Sequence, residues 1–179
     1  MWRDWWTVGC GVESLHAVLT GYGVVVDLDD VLREALARDG YDDDLGWRHH
    51  ALVAVAAQQG VRGEVVGDLT ADALAQHDGW WLVSVRAPEQ FASTHLVAVH
   101  RLDSMDSPGR ACAGHDAVGI PGAGGAVGGA SSARVDEPVN AAPLEVTWPQ
   151  GHLEHGRVFV TTGAWLARRM TGRGMRFTR

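Results

Sequence analysis

The sequence predicts an α+β fold, with helices in the first part of the chain and an antiparallel sheet in the second. Three observations lead there. Before residue 60, apolar residues recur at three- and four-residue spacing in stretches that end at glycine. From Gly79 onward, short runs rich in valine alternate with turn residues. Strands and helices do not alternate as they would around a parallel sheet. The 179 residues are expected to form one domain, mainly helical over 1–78 and mainly β over 79–179.

The first helix is expected from about Gly9 to Gly21 or Gly23. Val12, Leu15, Val18, Leu19 and Tyr22 lie on one face, and the glycines stop it. Asp27 is a suitable N-cap for a second helix, with Leu28, Val31, Leu32 and Leu36 on its apolar side and Gly40 at its end. Tyr41 to Gly46 reads as an acidic turn. Its Asp42, Asp43 and Asp44 lack the ligand pattern of a calcium loop. Trp47 to Gln59 reads as a third helix, closed by Gly60.

Val61 to Gly67 follows as a strand. Thr70 caps a short helix through Gln76, and Gly79 to Arg86 is a buried strand. His95 to Arg101 is the next strong strand. Arg110 to Ala113 reads as its returning partner across a turn at 103–109. Glycine, alanine and serine dominate an insertion at about 119–142, which has no apolar period. Strands are expected again at 144–148 and 157–161. Thr162 caps a helix through Met170, and Gly172 to Thr178 ends as an edge strand.

Composition excludes some functions. A net charge of -7 argues against nucleic acid as a partner, because phosphate binding needs clustered lysine and arginine. No run is apolar and long enough to span a bilayer. The first residues, crowded by Trp2, Trp5 and Trp6, lack the apolar core of a signal peptide. Cytoplasm is the expected compartment, and it suits free thiols. The adjacent His49 and His50 point in different directions from a helix, so no metal site and no cofactor is expected.

Cys10 begins the first helix, where unpaired N–H groups and the helix dipole favour a thiolate. Gly9 and Gly11 flank it and leave room for a substrate backbone. Trp5 and Trp6 either cover the helix start or line a cleft beside it. Thiol catalysis also needs an imidazole and a group to orient it. Of nine histidines, His95 opens a strand at a loop junction, where side chains face a cleft. On the hairpin reading Asp116 lies across from His95 and orients it, while Asp103 sits at the wrong end of the turn. A buried structural cysteine is the alternative for Cys10.

These residues carry a resemblance. Asp4-Trp-Trp-Thr-Val-Gly-Cys-Gly-Val-Glu-Ser-Leu-His-Ala-Val-Leu-Thr-Gly-Tyr-Gly23 looks like the nucleophile helix of the C39-like branch of papain-like cysteine peptidases. Gly46-Trp-Arg-His-His-Ala-Leu52 with Gly60 resembles that family's third helix. Trp81-Leu-Val-Ser-Val85 and His95-Leu-Val-Ala-Val99 resemble its paired strands. The resemblance spans roughly residues 5 to 101. It implies a papain-like fold, Cys10 as nucleophile and His95 as general base. The family's acidic residue on the next strand, usually before a proline, matches Asp116 by position, although Ala117 follows it here. The family's glutamine before the cysteine is replaced by Asp4, which cannot donate to an oxyanion.

The expected activity is thiol-dependent acyl transfer on a peptide or a small amide. With water as acceptor the enzyme is a peptidase or amidohydrolase; with an amine or thiol it is an acyltransferase. The alternative is a non-catalytic module that binds a peptide in the same cleft.

Overall fold

A computed structural model describes residues 8–86, 94–102, 143–149 and 158–179. Helix α1 (Cys10–Gly21) begins after Gly9 and buries Val12, Leu15, Val18 and Leu19, the face its apolar spacing predicts. Helix α2 (Leu28–Leu36) and helix α3 (His49–Gln58) pack beside it. Between them, strands β1 (Tyr41–Asp42) and β2 (Gly46–Trp47) form a small antiparallel hairpin. Trp47, expected inside a helix, is a strand residue instead.

The remaining strands are β3 (Arg62–Val66), β4 (Trp80–Arg86), β5 (Thr94–Arg101), β6 (Leu144–Thr147), β7 (Val158–Thr161) and β8 (Met170–Thr178). They form one six-stranded sheet in the order β3-β8-β4-β5-β6-β7, with every pair antiparallel. Helices α4 (Ala71–Gln76) and α5 (Gly163–Ala167) pack together on the far side. Their N-caps Thr70 and Thr162 accept hydrogen bonds from Ala73 N–H at 3.2 Å and Trp165 N–H at 3.3 Å. Each supplies one of the partners that a helix start lacks.

Strand alternation divides the core by sheet face. Trp80, Leu82, Leu96, Ala98, Met175 and Phe177 face α1 and its neighbours. Trp81, Val83, Val85, Val97, Val99 and Val146 face the other way, with Leu74 of α4 and Leu166 of α5. Each valine, leucine, methionine or phenylalanine side chain so buried stabilises by about 1.5–3 kcal/mol relative to exposure.

Two expectations about the sheet are corrected. Strand β8 is not an edge: it sits between β3 and β4, and its Met175 and Phe177 are fully buried. The strand beside β5 is not 110–113 but β6, which pairs Ala98↔Thr147 through Arg101↔Leu144. Since β4 takes the other edge of β5 along its length, no edge remains at these residues for a second hairpin partner. Leu144 and Val146 bury themselves at this place, whereas Arg110 to Ala113 offers less apolar area.

Candidate active site

The start of α1 is held against β5 by two side chains one helical turn apart. Ser14, fully buried, donates from its hydroxyl to the Leu96 carbonyl at 2.9 Å. The backbone N–H of Leu96 donates to the Cys10 thiol. The helix thus satisfies both backbone groups of one strand residue, in the role a neighbouring strand would play.

The thiol is less acidic than a helix start predicts: its pKa is raised from 9.0 to about 11. Burial is the largest cause. The N–H of Leu96 opposes it, the carboxylate of Glu13 adds to it, and the N–H groups of Gly11 and Cys10 oppose it. The residue as a whole is half-buried. The expected depression by the dipole is therefore outweighed by desolvation.

His95 precedes Leu96, so Cys10 is docked one residue away from it. The imidazole packs at the end of β6. It is 1% exposed and lies against the indole of Trp148, with ring centroids 5.0 Å apart. Trp148 and Pro149 follow directly after β6. The proline-preceding residue beside the histidine strand is thus a tryptophan, itself 4% exposed. The alternating Leu144-Glu-Val-Thr147 run with its terminal proline was the available signal for this place. Asp116, Asp103, Cys112, Trp5 and Trp6, with the insertion at 119–142, lie outside the described residues.

Gly11 meets Trp47 rather than open space. A Cβ there would lie 2.4 Å from the indole Cγ, so the glycine serves close packing. Trp47 also donates from its indole N–H to the Val8 carbonyl at 2.5 Å and lies edge-on to Tyr41. Gly9 is buried, and its carbonyl accepts from Glu13 N–H.

A cleft of about 850 Å³ opens beside this helix start on the α1 side of the sheet. Cys10, Trp47 and Leu96 line it. Ser84, Thr94 and Thr171 bring hydroxyls from β4, β5 and β8. Arg173, His49 and His50 line it too, and so do Asp43 and Asp44 of the β1–β2 turn. That turn is built on Asp42, which accepts from the N–H groups of Asp44 and Leu45 at 3.0 and 3.1 Å. Arg48 at 2.9 Å holds the Asp42 carboxyl below its ordinary pKa, with those two N–H groups adding to the effect. His49 is pushed down by burial, and further by the charges of Arg173 and His50. Among the described residues no group of three metal-ligating side chains is found, and no helix is long and apolar enough to cross a membrane.

No protein-family model matches the chain, and no curated protein matches it. Solved structures do. The chain is similar to the peptidase domain of Streptococcus ComA, a bifunctional ABC transporter involved in a quorum-sensing pathway. The TM-score is 0.56 at 13% identity, over 96% of this chain and 92% of that one. It is similar also to a double-glycine-motif protease from an AMS/PCAT transporter, solved with its leader peptide. Here the TM-score is 0.53 at 14% identity, over 94% of this chain and 82% of that one. Helices before a six-stranded antiparallel sheet, in this order and across nearly the whole chain, are the fold of a C39-like, papain-like cysteine peptidase domain.

Proposed function

We propose that the protein is a thiol-dependent peptidase that takes a peptide into the cleft beside α1. The observation that carries this reading is the docking of Cys10 onto Leu96. It brings a cleft-lining thiol to the strand position next to His95. A leader peptide bound to one of the similar structures supports a peptide as the ligand class.

In this reading the Cys10 thiol gives its proton to the His95 imidazole as the sulfur attacks the substrate carbonyl. The carbonyl oxygen becomes an oxyanion, which the backbone N–H of Cys10 receives as donor. Collapse of the adduct breaks the C–N bond, and the leaving amine takes the proton from the imidazolium. Water then hydrolyses the thioester, with His95 again as base. An amine in place of water would form a new amide.

A second reading, peptide binding without turnover, is favoured by two observations. The thiol is pushed up to about 11, and Trp148 stands beside His95 before Pro149. Asp116 stays the proposed orienting acid in the first reading; in the second none is needed.

One experiment separates the two. Wild type, Cys10→Ala and Cys112→Ala are each incubated with a randomised peptide pool, and new termini are read by mass spectrometry. Cleavage by wild type and Cys112→Ala, lost in Cys10→Ala, is the expected result. Retention of peptides on wild type and Cys10→Ala alike, with no new termini from any protein, selects the binding module. Cleavage by Cys10→Ala removes the nucleophile assignment.

A further inference from the structure

The cleft carries both signs of charge: Arg48 and Arg173 line it with Asp43 and Asp44, and Arg48 is held by Asp42. Arg33, Arg38, Arg48, Arg101 and Arg176 each pair with an acidic side chain. Arg173 pairs with none among the described residues. This is notable because Asp43 and Asp44 line the same cleft. The β1–β2 turn holds these carboxylates in the cleft, and among the described residues neither is ion-paired with Arg173.

The surroundings of Arg173 suit an anion. His49 and His50 line the cleft with it at the start of α3, and the helix has no side-chain cap there. Ser84 and Thr94 add hydroxyls that can donate. The chain carries a net charge of -7, so the guanidinium of Arg173 runs against the overall field of the molecule. A planar guanidinium receives a carboxylate through two parallel hydrogen bonds, and this geometry discriminates a carboxylate from its amide.

We propose that Arg173 is the specificity-determining residue of the cleft and receives a carboxylate of the bound peptide, from an acidic side chain or a free C-terminus. The proposal rests on the peptide-cleft reading above and adds to it the chemical class of the ligand. Asp44, in the same cleft, disfavours a carboxylate beside itself. A bound peptide is thereby oriented with its acid toward β8.

The test uses randomised peptide pools with one position fixed as Glu, Gln or Lys, each made as free acid and as C-terminal amide. Retention on immobilised Cys10→Ala protein is read by mass spectrometry, so turnover does not enter. Enrichment of the Glu pool over the Gln pool among amides assigns a side-chain carboxylate. Enrichment of free acids over amides within the Gln pool assigns the C-terminus. The expected preference is about ten-fold or more, the scale of a hydrogen bond to a charged group. Arg173→Gln in the same background should abolish it, and Arg173→Glu should shift it toward Lys. Because the readout is a preference, a reduced folded fraction in a variant does not mimic the result. Peptides retained without regard to charge overturn this proposal and leave the peptide cleft standing, as does a preference that persists in Arg173→Gln. Retention of no peptide by any pool overturns both.

Discussion

Burial outweighs three backbone N–H groups at Cys10. The donors from Leu96, Gly11 and Cys10 itself stabilise a thiolate, yet enclosure of the sulfur raises its pKa from 9.0 to about 11. In the resting protein at neutral pH the thiolate is then about one part in ten thousand, so a base must remove the proton as attack begins. The sign of the stability effect follows. Folded and unfolded thiols are both protonated below pH 9, where stability is full. Between pH 9 and 11 the unfolded thiol ionises first, and stability falls by about 3 kcal/mol for a shift of this size. In a Cys112→Ala background, iodoacetamide alkylation of Cys10 should climb with pH beyond 9 toward 11, in step with that loss. Cys10→Ala should lose less over the same range, the remainder following Tyr22, whose hydroxyl is also pushed up by burial. An alkylation rate already at its plateau by pH 7 would mean that an imidazolium holds the thiolate, contrary to the burial account.

At the scale of the element, α1 is positioned by what its glycines admit. A Cβ at Gly11 would meet Trp47 at 2.4 Å, and one at Gly21 would meet Trp80 at 2.3 Å. Both contacts are with ring atoms close to or within rigid indoles. Gly11→Ala and Gly21→Ala should each cost about 1–3 kcal/mol in denaturant unfolding, the range for overpacked cores. The two lie at opposite ends of the helix, so their losses should add. A neutral Gly11→Ala would mean that Trp47 yields easily and does not set the helix position. The helices themselves are legible in the sequence, because apolar spacing and stop glycines such as Gly40 and Gly60 are local information. That the first helix packs on the strand carrying His95 is reached through the family resemblance rather than through local spacing. The acidity of the thiol is not legible. It depends on enclosure by residues of β5 and the β2 region, far away in sequence. Trp148 escapes notice because the nearest run, 110–113, offers the shorter connection. Only the pairing of β5 with 144–147 reveals the true neighbour.

At the scale of the molecule, the sheet is joined by its latest strand. β8 pairs with β3 on one side and β4 on the other. The hydroxyl of Tyr22 ties the arrangement at one end, donating to the Phe177 carbonyl at 2.6 Å and accepting from Trp80 N–H at 3.2 Å. This centrality is not legible from Met175 and Phe177 alone, since alternation reveals a face but not a neighbour. Truncation after Arg169 should abolish cooperative unfolding, because it separates β3 from the sheet and bares one edge of β4. A truncated protein that still melts in a single transition would show the six strands to be less interdependent than their order implies.

The same strand order bears on how the protein is made. Val83 and Val65 leave the ribosome long before Gly174 and Met175, which they flank. Until then β4 presents an open backbone edge, the kind of surface that invites mispairing. Nascent chains stalled before β8 are accordingly the form of this protein with most need of a chaperone, and messages cut short upstream of Met170 would yield products fit chiefly for degradation.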